Sequence, residues 1–143
     1  MDRWLNKIIC GDCLEVMKDI PDKSVDLVVT DPPYLCEING GAGMAKTWNS
    51  RNNFFEMIED FSEYAKEMHR ILKDNSHCIV FTNSKSLQNS INQFTKVFKF
   101  IDLLTMVKNN AYPIGGYYLR NTEFALLLTK GFKRINDETQ KNI

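Results

Sequence analysis

Features that would assign a chain to a membrane, to a secretory route or to a strongly basic nucleic-acid binder are missing here. No apolar run approaches the roughly 18 residues that a membrane span needs, and Met1-Asp2-Arg3-Trp4 lacks the apolar core of a signal peptide. Lys plus Arg number 18 and Asp plus Glu number 18, so no global positive field draws the chain onto a polyanion. We therefore expect a cytoplasmic protein without membrane contact, in which any contact with nucleic acid is local.

Cysteines are few, and their spacing gives little support to a metal or redox site. The four are Cys10, Cys13, Cys36 and Cys78. Only the first two form a Cys-x-x-Cys pair, whereas a zinc site needs a second pair or two suitably spaced histidines. Redox use of such a pair needs a thioredoxin-like context. We therefore predict reduced thiols and no metal ligands.

The apolar periodicity predicts one α/β domain covering residues 1–143, with a single core. The predicted strands are Lys7–Cys10, Val25–Thr30, His77–Thr82, Phe98–Val107 and Thr122–Thr129. The predicted helices are a short Leu14–Ile20 ended by Pro21, a long Phe54–Lys73 with a capping box at Asn53 and Glu56, and a third around Leu87, Ile91 and Phe94. This order favours a mainly parallel sheet.

Three stretches depart from this regular pattern. The turn-rich Tyr112–Gly116 joins the last two strands, which predicts an antiparallel hairpin at the sheet edge. Leu35–Asn53 contains three glycines and predicts a long mobile loop, a length that is usually functional or disordered. The polar tail, residues 132–143, is expected to fray.

The most informative segment is Asp31-Pro32-Pro33-Tyr34, which directly follows the apolar strand Val25–Thr30. Ligands of open α/β sheets collect at the carboxyl ends of strands. The prolines remove amide donors and leave carbonyl acceptors, while Asp31 adds a carboxylate and Tyr34 an aromatic face. Such a set suits a planar group that carries an NH2, because two acceptors can take both amine hydrogens and direct the nitrogen lone pair towards an electrophile.

These residues carry a resemblance to a known family. The lead-in Gly11-Asp12-Cys13, the strand and the tetrapeptide, at this spacing, resemble the permuted beta group of DNA amino-methyltransferases, and the likeness extends to Asn121–Phe124. The resemblance implies a Rossmann-like methyltransferase fold, S-adenosyl-L-methionine as cofactor and DNA as substrate. Asp at the first position of the tetrapeptide implies transfer to N6 of adenine.

The resemblance also implies roles for individual residues. Asp31, Pro32, Pro33 and Tyr34 correspond to the catalytic segment, in which the Asp31 carboxylate and the Pro32 carbonyl hold the amine and Tyr34 stacks on the flipped base. Asp12, Cys13 and Asp31 correspond to positions that border the cofactor. The loop after the tetrapeptide would close over the base, with Lys46 and Arg51 reaching phosphates.

The resemblance stops before the family's pattern is complete. The target-recognition region, the Phe-x-Gly-x-Gly turn that cradles the cofactor and the acidic residue for its ribose are not found in this sequence. Gly41-Ala42-Gly43 is the nearest match, without the flanking strand and helix. We therefore expect a partial fold with weak cofactor affinity. It would be a truncated or remnant enzyme, one piece of a split enzyme that another polypeptide completes, or a homodimer that builds its site across an interface.

Other interpretations remain open beside these. The tetrapeptide is also compatible with a rigid turn that closes a strand, and Asp12 with a helix cap as much as with a cofactor contact. Lys108 and Arg120 are more often solvated charges than phosphate ligands. A second function class is a catalytically silent module, derived from such an enzyme, that binds DNA or a partner subunit.

Overall fold

The computed structural model describes residues 4–33, 58, 60–114 and 118–131, without the side chains of 110–120. Its helices are α1 (Cys13–Lys18), α2 (Ser62–Ile71) and α3 (Leu87–Phe94). Its strands are β1 (Val25–Thr30), β2 (Leu72–Thr82), β3 (Lys99–Ile114) and β4 (Tyr118–Lys130). None of the helices in the described part of the chain is long and apolar enough to cross a membrane. The predicted loop at 35–53 and the predicted tail at 132–143 lie outside the described residues.

The described strands form one mixed sheet in the order β1-β2-β4-β3. β1 and β2 run parallel, whereas β2 with β4 and β4 with β3 run antiparallel. The crossover between the parallel strands contains α2, as parallel pairs require. The predicted α/β class and the antiparallel hairpin at the sheet edge are therefore confirmed. The prediction of a mainly parallel sheet does not hold for the described strands, because β4 inserts between β2 and β3 and pairs antiparallel with both.

All three helices contribute to one core, which lies on a single face of the sheet. The strands supply alternate residues to it, namely Cys78 and Val80 from β2 with Leu126 and Leu128 from β4. Helix residues pack against them at three- and four-residue spacing, and the buried ones are Met17, Ala65, Met68, Ile71 and Phe94. Phe61 and Phe94 stack with ring centroids 5.8 Å apart, which fixes the start of α2 against α3.

The predicted first strand is wrong. Lys7–Cys10 is not in a strand, and the side chain of Ile8 is fully exposed. An apolar, β-branched run becomes a strand only when a neighbouring strand accepts its backbone hydrogen bonds. No described strand pairs with this segment.

The long helix is shorter than predicted and begins later. Asp60 accepts a hydrogen bond from the Ser62 amide at 2.8 Å, and the helix starts there. At its other end, Leu72 is already the first residue of β2, so the prediction that the helix continues to Lys73 is wrong. The predicted start at Phe54 and the capping box at Asn53 and Glu56 lie outside the described residues.

The remaining elements keep their predicted types with altered ends. α1 ends before Pro21, and α3 covers its predicted residues. β2 begins five residues earlier than predicted, but its register with β1 shifts between Leu72 and His77, where Asn75 has a positive φ of 62°. β3 and β4 extend into the stretch predicted as a turn, because their pairing continues to Ile114 and Tyr118.

Candidate active site

The candidate site begins where β1 ends. β1 pairs with β2 through Thr30, opposite Val80, and the ladder stops at the two prolines because Pro33 and Pro32 have no amide hydrogen to donate. Asp31 is exposed, whereas both prolines are half-buried. Since β1 and β2 are parallel, Asp31 and the residues after Thr82 lie at the same edge of the sheet. Tyr34 lies outside the described residues.

The two proline carbonyls differ in their hydrogen bonding. The Pro33 carbonyl accepts a hydrogen bond from the Ile58 amide at 3.0 Å, which ties the segment after β1 to the chain that leads into α2. The Pro32 carbonyl accepts no backbone hydrogen bond from the described residues. One acceptor therefore fixes the segment, and the other, beside the Asp31 carboxylate, has no backbone donor within the described part of the chain.

A turn after β2 lies beside this segment. The Asn83 side-chain carbonyl accepts from the amides of Lys85 at 2.9 Å and Ser86 at 2.8 Å, which shapes the connection to α3. Beneath it, the hydroxyls of Thr82 and Ser90 are buried and 3.1 Å apart. This turn was not predicted as part of the site. Its signal was the asparagine that directly follows a strand parallel to β1.

Asp12 caps α1, which is one of the two roles predicted for it; the other is a cofactor contact. Its Oδ1 accepts hydrogen bonds from the Leu14 amide at 2.9 Å and the Glu15 amide at 3.2 Å. Its Oδ2 accepts no hydrogen bond from a described residue, and the side chain is exposed. The cap uses one oxygen, so the carboxylate retains an acceptor for a second role.

Cys13 lies next to this cap as a protonated thiol. Partial burial raises its pKa above the ordinary value, and the neighbouring Asp12 carboxylate raises it further. Cys10 and Cys13 are free and exposed. No group of three or more potential metal ligands occurs within the described ranges. A neutral, weakly polar thiol suits contact with an apolar or aromatic ligand surface more than nucleophilic chemistry.

The structure does not join the two predicted groups of residues directly. Asp31, Pro32 and Pro33 form one continuous segment after β1, while Asp12 and Cys13 begin α1. No hydrogen bond or ion pair links the two groups among the described residues. Both groups are exposed at their carboxylates, as residues that meet a ligand must be.

The basic residues suggested as phosphate ligands receive little support. Lys108 forms an ion pair with Glu123 across the hairpin, which neutralises its charge. The side chain of Arg120 is not described, and Lys46 and Arg51 lie outside the described residues. For Lys108, the structure favours a role in the hairpin.

Comparison with known proteins assigns the chain to a family. Residues 25–142 match the model of the N6/N4 methyltransferase family described as DNA methylase. This chain belongs to that family. Type II methyltransferase M.HinfI of Haemophilus influenzae is 28% identical over 156 residues, covering 98% of this chain and 43% of M.HinfI. M.BglII of Bacillus subtilis is 45% identical over 69 residues, covering 48% of this chain and 17% of M.BglII.

Solved structures of DNA methylases support the same fold for this chain. TTHA0409 from Thermus thermophilus superposes with a TM-score of 0.62 at 20% identity, over 91% of this chain and 55% of that one. The M1.HpyAVI–SAM complex gives a TM-score of 0.61 at 22% identity, over 92% of this chain and 63% of that one. The predicted methyltransferase fold is thereby confirmed. The chain spans less than half of the length of M.HinfI.

Proposed function

We propose that this DNA methylase chain transfers a methyl group from S-adenosyl-L-methionine to N6 of adenine in DNA, as one part of a larger active unit. The observation that carries the proposal is the segment Asp31-Pro32-Pro33 at the carboxyl end of β1, with an exposed carboxylate beside a carbonyl that is not engaged by the described backbone. Family membership and the methyltransferase fold support it.

The proposed chemistry is the orientation of an amine. The adenine amine is a poor nucleophile because its lone pair is delocalised into the ring. The Asp31 carboxylate and the Pro32 carbonyl would each accept one amine hydrogen, which favours a pyramidal nitrogen with its lone pair directed outward. Asp31 need not remove a proton before the transfer, because the proton can leave the nitrogen afterwards.

Two further residues would hold the base in place. The Ile58 amide fixes the Pro33 carbonyl at 3.0 Å and so restrains the acceptors that precede it. Tyr34 would stack on a base that has left the duplex, as enzymes that act on bases require. The base must be extruded because the amine is paired inside the duplex.

Asp12 and Cys13 are proposed to border the cofactor, together with Asp31. The exposed Asp12 carboxylate, with one oxygen not used by the cap, fits a polar group of the cofactor, and the protonated Cys13 thiol fits its adenine surface. When bound, S-adenosyl-L-methionine supplies the electrophilic methyl group. M1.HpyAVI and TTHA0409 have each been solved with this cofactor.

The finer assignments follow from the resemblance. Asp at the first position of the tetrapeptide favours adenine N6 over cytosine N4 as the target. We also propose a cytoplasmic setting, as part of a restriction-modification system, because the curated relatives include type II methyltransferases. A completing subunit or a homodimer would supply the parts of the relatives that this chain does not match.

Calorimetric titration with S-adenosyl-L-methionine tests the cofactor assignment. We expect saturable binding that Asp12→Ala weakens by about tenfold, the effect of losing a charge-assisted hydrogen bond. Asp12→Asn is the matched control, because Asn also caps helices well. If Asp12→Asn binds as weakly as Asp12→Ala, the carboxylate itself contacts the cofactor. Absence of binding at millimolar cofactor would contradict a self-sufficient site.

Product analysis tests the base assignment. Unmethylated DNA is incubated with cofactor and the chain, with its completing polypeptide where one is required, and the digested nucleosides are identified by mass spectrometry. We expect N6-methyladenine, reduced by about 100-fold or more in Asp31→Asn, since removing one stabilising group at a reacting centre costs that much. N4-methylcytosine as the product would overturn the choice of adenine.

A second candidate function is a catalytically silent module that binds DNA or a partner subunit. It is supported by the separation of the two predicted groups, since no hydrogen bond or ion pair joins Asp12 and Cys13 to Asp31, Pro32 and Pro33 among the described residues. DNA or partner binding that is unchanged in Asp31→Asn, with no methyl transfer by the completed complex, would identify the module. Methyl transfer by the complex would exclude it.

A further inference from the structure

A glutamine on α3 holds the backbone of the chain that enters α2. The side-chain oxygen of the half-buried Gln93 accepts a hydrogen bond from the amide of Phe61, the residue before α2. The NH2 group of Gln93 donates in turn to Asn89 Oδ1 at 2.8 Å, one turn earlier on the same helix. Because this second bond uses the NH2 group, the oxygen of Gln93 is the end that faces Phe61.

The bond to Gln93 replaces an acceptor that a helix often supplies itself. In a capping box, the third helical residue is Glu or Gln, and its side chain accepts from the amide of the residue before the helix. The third residue of α2 is Tyr64, and the Phe61 side chain makes no cap hydrogen bond. Gln93 therefore provides this acceptor from another helix, so the start of α2 depends on a tertiary contact.

The bond also acts on a part of Phe61 that side-chain packing does not fix. The Phe61 ring is 1% exposed and stacks on Phe94 with centroids 5.8 Å apart. Two rotatable torsions, χ1 and χ2, separate that ring from the backbone. Gln93, the neighbour of Phe94 on α3, adds a point of attachment on the backbone itself. The ring and the amide together fix the direction in which the chain enters α2.

The same stretch of chain reaches the candidate site. Three residues before Phe61, the Ile58 amide donates to the Pro33 carbonyl at 3.0 Å. Three residues span at most about 10 Å, so a shift of the Phe61 backbone has little chain over which to dissipate. The Ile58 side chain packs against the core. The position of Phe61 therefore restricts the position of the Ile58 amide.

We propose that Gln93 is a positioning residue for the candidate site, and that it holds the Pro33 carbonyl in place through the segment 58–61. The ring of Pro33 fixes its φ, so only ψ of Pro33 separates its carbonyl from the peptide plane that carries the Pro32 carbonyl. Restraining the first carbonyl thus restrains the second, which would accept an amine hydrogen. The catalytic consequence rests on the proposed methyl transfer, whereas the link from Gln93 to Pro33 does not.

Amide hydrogen exchange of the full chain, followed by NMR, tests this link independently of activity. Gln93→Met keeps a long, flexible side chain and removes the acceptor. We expect the Ile58 amide to exchange about three- to tenfold faster, the effect of weakening one hydrogen bond. The amide of Val80, which is buried in β2, should stay within about twofold because it opens with the core. A role confined to the start of α2 would accelerate Phe61 alone.

Three further variants separate the hydrogen bond from other effects of replacing Gln93. Gln93→Glu retains an oxygen for the Phe61 amide, and the exposed Asn89 amide can rotate to donate to it, so Ile58 exchange should return to its original rate. Gln88→Met makes the same replacement at an exposed position of α3 and should leave Ile58 unchanged. If Gln93→Met does not fold in a thermal unfolding test, Asn89→Ala removes the bond that orients Gln93 and should accelerate Ile58 about twofold or more.

Steady-state methyl transfer tests the catalytic consequence. In the assay used for Asp31→Asn, Gln93→Met should lower kcat per folded molecule by about tenfold or more, because a small displacement of a reacting group is costly. KM for DNA should stay within about twofold, since phosphate contacts dominate DNA affinity. Gln93→Glu should restore kcat, a recovery that a general loss of stability would not produce.

Two exchange results would overturn the positioning role. One is an Ile58 rate that is unchanged in Gln93→Met, and the other is an equal rise at Ile58 and Val80, which would show a general loss of stability. Faster Ile58 exchange with an unchanged kcat would overturn the catalytic consequence. Absence of methyl transfer by the unchanged protein would count against the proposed function alone, and the exchange rates would still decide the link.

Discussion

The guanidinium of Arg70 on α2 donates a hydrogen bond from Nη2 to the backbone carbonyl of Met17 at 2.7 Å. Its Nη1 donates to the carbonyl of Ile20 at 2.9 Å, and Glu67 holds the same guanidinium at 2.8 Å from the next turn of its helix. The carbonyls at the end of a helix have no partner within that helix. Arg70 therefore closes the end of α1 and joins α1, which presents Asp12 at its other end, to the core.

Replacing Arg70 should destabilise the fold. Arg70→Lys keeps the charge but cannot span both carbonyls, so we expect it to lower the free energy of unfolding by about 1.5–3 kcal/mol, the range for hydrogen bonds to charged groups. Urea unfolding followed by circular dichroism measures the change. Lys66→Met is the control, since Lys66 makes only an exposed ion pair with Glu63 and should leave the midpoint nearly unchanged. Equal effects of the two substitutions would refute the special role of Arg70.

Cys78 should be the protected thiol of the described cysteines. It is fully buried in β2, and burial raises the pKa of its thiol to about 12. In the native protein a thiol reagent at pH 8 should modify the exposed Cys10 and Cys13 and leave Cys78 intact, as peptide mass mapping can show. Modification of Cys78 as fast as of Cys10 would contradict the burial.

The same thiol predicts a stability change in alkali. Its folded pKa lies above the unfolded value of 9.0, so the unfolded state loses its proton first. The contribution of the Cys78 thiol to the free energy of unfolding is complete below pH 9 and declines as the pH rises from 9 towards 12. Cys78→Ala should show a smaller loss of unfolding free energy between pH 8 and pH 10 than the unchanged chain. An identical loss in both would rule out this thiol as the cause.

The lowered pKa of His69 leads us to expect a loss of stability in acid, in contrast to the loss in alkali expected from Cys78. Its ring meets Phe98 edge to face at 5.1 Å, and burial lowers its pKa, with a further reduction from Lys130. Since the folded pKa lies below the unfolded 6.5, protons favour the unfolded state. The contribution of neutral His69 to the free energy of unfolding should be complete above pH 6.5 and should decrease as the pH falls below that value.

Urea unfolding at pH 7.5 and pH 5.5 measures this loss. His69→Gln should reduce the difference between the two pH values, because Gln does not titrate. The lowered pKa of Asp74, which arises from its hydrogen bond to Lys23, acts below about pH 4 and so falls outside this window. A pH difference that is as large in His69→Gln as in the unchanged chain would show that another group is responsible.

The cap of α1 gives a fifth prediction. Asp12→Ala removes the acceptor for the Leu14 and Glu15 amides and should cost about 0.5–2 kcal/mol of unfolding free energy. Asp12→Asn should cost much less, since Asn caps about as well as Asp. Thermal or urea unfolding of the two variants makes the comparison. A loss in Asp12→Asn as large as in Asp12→Ala would indicate that charge, and not the cap, dominates.

The elements predicted correctly are those whose signals are local. β1 is an apolar, β-branched run ended by prolines, and α1 is bounded by Asp12 and Pro21, so sequence alone indicates where each lies. Lys7–Cys10 was predicted wrongly because strand formation depends on a neighbour. The start of α2 was missed because it follows from the hydrogen bond of the Ser62 amide to Asp60 and, upstream, from the bond between Ile58 and Pro33.

The residues of the candidate site also divide into those with a local sequence signal and those whose position depends on distant strand pairing. Asp31, Pro32 and Pro33 were identified from their order after a strand, and their place at the sheet edge follows from the parallel pairing of β1 with β2. Whether they act in catalysis, and whether Asp12 meets the cofactor, remain predictions. Asn83 was missed, because its position at the same end of the sheet as the segment depends on pairing between residues about fifty positions apart in the chain.

The hydrogen bond from Ile58 to Pro33 joins the two ends of the intervening stretch, residues 34–57, at its base. The entropy of closing a chain segment grows only slowly with its length, by about 0.6 kcal/mol for each doubling. Changes in the length of chain between these anchors would therefore cost the scaffold little. In evolutionary terms, this junction is a place where the connection can lengthen or shorten without rebuilding the strand before it or the helix after it.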